Sequence, residues 1–148
     1  MRGSTASCGV RVIVSRESLR RTNTGAVTGQ LWLEIEVAAD APVADPEVGW
    51  CDFPVPVLTW WLDALASLGT TSVATCRFMD GPRSFVVEAG DGRFEVRGEE
   101  WSCAPERADF EAALRGAAVA VLSECERQGW SSRDLLDLRR AVSGSATR

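Results

Sequence analysis

The sequence predicts a single α+β domain: a five-stranded, mainly antiparallel sheet with helices packed on it, in the order β-β-α-β-β-β-α-α. Three stretches lead to that class. Residues 31–37 alternate, with Leu31, Leu33, Ile35 and Val37 on one face and Trp32, Glu34 and Glu36 on the other, the pattern of a half-buried antiparallel strand. Residues 52–69 change to a helical period, placing Val57, Leu58, Trp61, Leu62, Leu65 and Leu68 on one side and Thr59, Asp63 and Ala66 on the other. Asp80-Gly81 and Asp91-Gly92 then separate short alternating segments, a strong signal of tight hairpins.

In chain order, residues 1–7 are small and polar and read as a flexible tail. Val10, Val12 and Val14 alternate with Arg11 and Ile13 as a first strand. Residues 16–30 are polar and glycine-punctuated, so they read as a connection to the strand at 31–37. An acidic, proline-containing loop over 38–50 leads to the central helix. Pro54 and Pro56 suit a helix's first turn and Gly69 its exit. Three strands follow over 72–79, 84–88 and 93–97. A helix beginning at Pro105 or capped by Asp109 runs to Gln128 and stops at Gly129. A second start follows, with Ser131 as the cap, Asp134 at the third helical position and Trp130 stapled onto Leu135. Residues 143–148 read as a polar, flexible tail, so one domain accounts for residues 1–148.

The central helix carries adjacent tryptophans at different angles. Trp61 lies within the apolar arc, whereas Trp60 sits on its edge, so one is core and the other is free to face something else.

Composition removes several chemistries. The chain has no Lys, His or Tyr, and Arg carries all sixteen positive charges. No imidazole base, histidine metal ligand, Walker A lysine or Schiff-base amine is available. A net charge of −5 opposes binding to nucleic acid or an anionic membrane and favours a basic partner. No apolar run reaches the roughly 20 residues that span a bilayer, and residues 1–9 lack the apolar segment of a signal peptide. A cytoplasmic location is the resulting expectation. The five cysteines form no CxxC pair, and their odd number argues for reduced thiols, with Cys76 and Cys125 acting as small hydrophobes in the core. Neither a metal nor a cofactor is expected.

Carboxylate catalysis has Asp52, Asp80, Glu99 and Glu100 as its candidates. Asp52 is better explained as a cap or dipole partner at the helix entrance, and Asp80 by an Asx turn, so no catalytic residue is assigned. Trp32, Trp50 and Trp60 fall at surface or edge positions near acids. They define a candidate partner-binding set of Trp32, Glu34, Glu36, Asp40, Asp45, Glu47, Trp50, Trp60 and Asp63. The alternative is that helices cover both faces of the sheet and every tryptophan is core.

Three segments carry a family likeness: Trp32-Leu33-Glu34-Ile35-Glu36-Val37, Leu58-Thr59-Trp60-Trp61-Leu62-Asp63-Ala64-Leu65 and Phe78-Met79-Asp80-Gly81-Pro82-Arg83-Ser84-Phe85. With the order of elements, they resemble small immunity proteins of bacterial polymorphic toxin systems, of the type that guards against wall-associated-protein toxins, and uncharacterised actinobacterial relatives. The likeness spans about residues 31–97. It implies a non-enzymatic inhibitor that binds a cognate toxin domain, and it transfers no catalytic residue. The runner-up is a structural or regulatory subunit that oligomerises through a Trp-rich face.

Overall fold

A computed structural model describes residues 8–37, 43–44, 50–81, 83–99 and 101–146. It is an α+β fold in which α1 (Pro54–Ala66), closed by a 3-10 turn over Ser67–Gly69, touches strands of two separate sheets.

The first sheet is built on one long strand. β1 (Cys8–Val14) runs antiparallel to β3 (Val27–Val37), in register from Cys8 opposite Val37 to Val14 opposite Leu31. Between them lie a 3-10 turn at Arg16–Ser18 and the two-residue β2 (Arg20–Arg21), which pairs with Thr28 and Val27. The stretch read as a plain connection is therefore partly strand, with Leu19 and Val27 in the core. Ser18 explains how pairing survives the interruption. Its hydroxyl donates to the Ser15 carbonyl at 2.6 Å and accepts from the Gln30 N–H at 2.8 Å, replacing ladder bonds where β1 ends. Two short strands, β4 (Val43–Ala44) and β5 (Cys51–Asp52), pair with other parts of β3.

The second sheet is an antiparallel meander of β6 (Val73–Arg77), β7 (Ser84–Ala89), β8 (Phe94–Arg97) and β9 (Ser102–Cys103). Gly81 and Gly92 have φ of +107° and +72°, the left-handed region that the Asp-Gly turns require. The expected single sheet is thus two sheets, and β9 was not foreseen. Alternation tells which face of a strand is buried and says nothing about which strands share an edge.

The expected apolar face of α1 is the buried one: Val57, Leu58, Trp61, Leu62, Leu65 and Leu68 all lie in the core. Trp61 is fully enclosed, and its Nε1–H donates to the Arg77 carbonyl at 2.7 Å. Its ring meets Phe78 and Phe85 edge-on, with centroids 5.2 and 4.9 Å away, a favourable aromatic geometry.

A disulfide between Cys8 and Cys103 joins β1 to β9, and so one sheet to the other, with Cα atoms 6.0 Å apart. This corrects the expectation of reduced thiols for these two residues. Their 95-residue separation is closed only by the tertiary fold. Cys76 and Cys125 are buried as expected, and Cys51 is exposed.

α2 (Arg107–Arg127) begins at neither expected point. Glu106 is the last extended residue, and Asp109 falls in the first turn, where its charge favours the positive end of the helix dipole. The exit is a Schellman motif: Gly129 has φ +77°, its N–H donates to Glu126, and the Trp130 N–H donates to Cys125. Near that end Arg127, and then Gln128, hydrogen-bond the Glu124 carboxylate and hold it below its ordinary pKa. The expected break between the last two helices is present, but the cap of α3 (Arg133–Ala146) is Ser132, whose Oγ accepts from the Leu135 N–H at 3.2 Å. Ser131 is exposed, Asp134 is the second helical residue, and Trp130 lies too far out to staple, packing half-buried against the core. Residues 143–146 are helical, contrary to the expected tail. The remainder of the expected tails, residues 1–7 and 147–148, lies outside the described residues.

Two stability measurements check this architecture. Trp61→Ala should cost about 3–5 kcal/mol in urea melts, because it empties the largest buried site. Opening the Cys8–Cys103 bond with dithiothreitol should cost about 2–5 kcal/mol, as expected for a loop of this length. A loss under about 0.5 kcal/mol in either case, the usual surface range, contradicts the packing described.

Candidate protein-binding site

The outer flank of α1 faces α3 across an open groove of about 530 Å³, lined by Thr59, Trp60, Asp63 and Ala66 on one side and Asp137, Arg140, Ala141 and Gly144 on the other. Both rows follow from helical spacing, since residues three and four apart share a flank. The groove stays open because Ala66, Ala141 and Gly144 add little side chain between the helices.

Trp60 is 42 % exposed, beside a Trp61 that is fully buried. The two indoles are separated only by the turn of one helical residue, so one sequence position divides folding from solvent contact. Asp63, one turn on from Trp60, is exposed and makes no hydrogen bond or ion pair with the described residues. Across the groove Asp137 and Arg140 stand 3.8 Å apart, at the outer limit of an ion pair, with the Arg140 side chain largely in solvent and that of Asp137 about half so. Such a pair contributes little.

The other described residues of the candidate set do not line this groove. Trp32 lies opposite Ile13 on the face of β3 away from Leu31 and Leu33, and it is half-buried. Its Nε1–H is enclosed without a hydrogen-bond partner among the described residues. Glu34 accepts from Arg11 at 2.9 Å on the same face. Glu36 is opposite Gly9 in the ladder. Asp40, Asp45 and Glu47 lie outside the described residues.

Trp50 belongs to a structural knot. The Asp52 carboxylate is 2 % exposed and accepts from Trp50 Nε1 at 2.8 Å, from the Phe53 N–H at 2.7 Å and from the Met79 and Asp80 N–H groups at 3.3 Å. Asp52 therefore ties the entrance of α1 to the β6–β7 turn, where a helix cap or dipole partner was expected. The N-cap position is Phe53, with no side-chain cap. Asp80 enters this knot through its backbone N–H, so the turn is held by Asp52 from outside. Phe78 and Arg83 lie against the Trp50 ring, at 6.3 and 5.8 Å between centres.

Sequence reasoning found the α1 half of the groove and missed Asp137, Arg140, Ala141 and Gly144. The available signal was their spacing along one flank of the last helix, which the search for apolar periodicity passes over.

The described residues offer little chemistry of other kinds. Burial pushes the Cys76 thiol up to about 12, so it supplies no thiolate near neutral pH. Among the described residues no three acids or cysteines are grouped to hold a metal, and no helix is long and apolar enough to cross a membrane. No protein-family model, no curated protein and no solved structure matches the chain.

The knot at Asp52 can be tested by itself. Asp52→Ala leaves four donors without their acceptor, those of half-buried Trp50 and Phe53 among them, and should destabilise by roughly 2–4 kcal/mol, with Asp52→Asn recovering part of the loss. Equal stability of Asp52→Ala and the parent in urea melts contradicts this role.

Proposed function

We propose that the protein is a non-enzymatic binding module, an immunity-type inhibitor that masks a basic cognate toxin domain. The observation that carries this reading is the large exposed indole of Trp60, set in an open groove beside the Asp63 carboxylate, which has no partner among the described residues. Tryptophan is enriched among the few residues that dominate binding energies, and acids around it speed the encounter with a basic surface. The net charge of −5 supports the same choice of partner over nucleic acid or an anionic membrane. The resemblance of residues 31–97 to toxin-immunity proteins supplies the class of partner.

The oligomerising-subunit reading gains less support. Trp50 donates its indole N–H to Asp52 within the fold, and of Trp32, Trp50 and Trp60 only Trp60 lines the α1–α3 groove. A cytoplasmic place of action belongs to the immunity reading and carries a condition. Cytoplasmic thiols keep disulfides reduced, so the fold must persist there on its core alone, without the Cys8–Cys103 link.

The test is surface-based kinetics against the toxin domain encoded beside this chain. Trp60→Ala should leave the melting temperature nearly unchanged and cost about 2 kcal/mol or more in affinity, mostly through faster dissociation. Charge reversal at Glu34 should mainly slow association. Unfolding of Trp60→Ala, or its binding like the parent, removes the groove from the account.

A further inference from the structure

We propose that the groove between α1 and α3 receives an arginine side chain of the partner, its guanidinium lying on the Trp60 indole and hydrogen-bonded to the carboxylates of Asp63 and Asp137. This rests on the protein-binding reading above and names the chemistry of the anchor that it would take.

Four observations select an arginine. An exposed tryptophan face attracts a cation, and a planar guanidinium both stacks on it and is less strongly hydrated than an ammonium. Asp63 stands one helical turn from Trp60 with no cation paired to it among the described residues, so a guanidinium over the ring would meet an acceptor that those residues leave unused. The lining holds two carboxylates against one guanidinium, an imbalance that disfavours an acidic occupant. The small residues Ala66, Ala141 and Gly144 leave about 530 Å³, room for a long side chain and the backbone that carries it.

Arg140 has a definite part in this scheme. At 3.8 Å from Asp137, and largely in solvent, it is a loosely held internal competitor for that carboxylate. An entering arginine would displace it. Removing the Arg140 charge should therefore help an incoming cation, whereas it would harm an anion that used Arg140 as its partner.

The probe is a blocked tripeptide with a central arginine, compared with the same peptide carrying citrulline, which keeps the shape and loses the charge. Binding is followed on the full chain through the ¹⁵N-labelled indole N–H signal of Trp60, assigned by its disappearance in Trp60→Phe. The arginine peptide should shift that signal saturably, and citrulline should bind at least about two- to fivefold more weakly, the worth of one exposed cation–π contact. Asp63→Asn should weaken arginine binding, Arg140→Gln should strengthen it, and added salt should reduce both differences. Equal binding of the two peptides, weaker binding by Arg140→Gln, or no movement of the Trp60 signal overturns the proposal. Those results leave the wider reading intact if Trp60→Ala still loses affinity for the toxin domain, because the groove would then take a different anchor.

Discussion

The burial of Trp61 is the constraint on which the rest of this structure depends. Its ring closes the space between α1 and the second sheet, edge-on to Phe78 and Phe85, and its one polar atom is matched to the Arg77 carbonyl. That match allows a large aromatic with an N–H to be fully enclosed without the cost of an orphaned donor. With Trp61 fixed, the rotation of α1 about its axis is fixed too. Leu58, Leu62 and Leu65 must then face the core, and Thr59, Trp60 and Asp63 must face away from its centre. The groove is a consequence of the same rotation.

Two further devices tie the two sheets together. At the start of α1 the buried Asp52 carboxylate collects donors from Trp50, Phe53 and the β6–β7 turn, so the helix entrance and the second sheet move together. The Cys8–Cys103 bond joins β1 to β9. Both link the two sheets by contacts between residues distant in sequence. Along the α3 groove the described acidic side chains are held more loosely: the Asp137–Arg140 pair is long and partly solvated, and Asp63 has no hydrogen bond or ion pair among the described residues. The side chains available to an outside molecule are those that the fold does not use.

Much of α1 was legible in the sequence because its signal is continuous. Two prolines and one apolar arc follow one another without interruption, and the 100° step between Trp60 and Trp61 separates their roles, whereas Gly69 ends the segment inside a 3-10 turn and not as the left-handed residue that its position suggests. The strands and Asp-Gly turns were legible for the same reason. What could not be read depends on distant partners or on close local choices. Partition of the strands into two sheets is decided by edge pairing, and the disulfide by a closure across 95 residues. Ser131 and Ser132 are equally able to cap, so the one-residue difference rests on which hydroxyl reaches the Leu135 N–H. The α3 half of the groove consists of polar and small residues, which carry no apolar period to notice. The structural role of Trp50 was not legible either, because its hydrogen bond to Asp52 is invisible until Asp52 is known to be buried.

The central claim is that adjacent indoles on one helix divide the work, Trp61 holding the fold and Trp60 meeting the partner. Hydrogen exchange of the two indole N–H groups, followed by NMR in the free protein and in complex with the toxin domain proposed as its partner, tests it most directly. Trp61 should exchange only through opening of the core, with protection in both states, and Trp60 should exchange at nearly the rate of a free indole until the partner is added. Protection of Trp60 in the free protein, or unchanged exchange of Trp60 in the complex, would contradict that division.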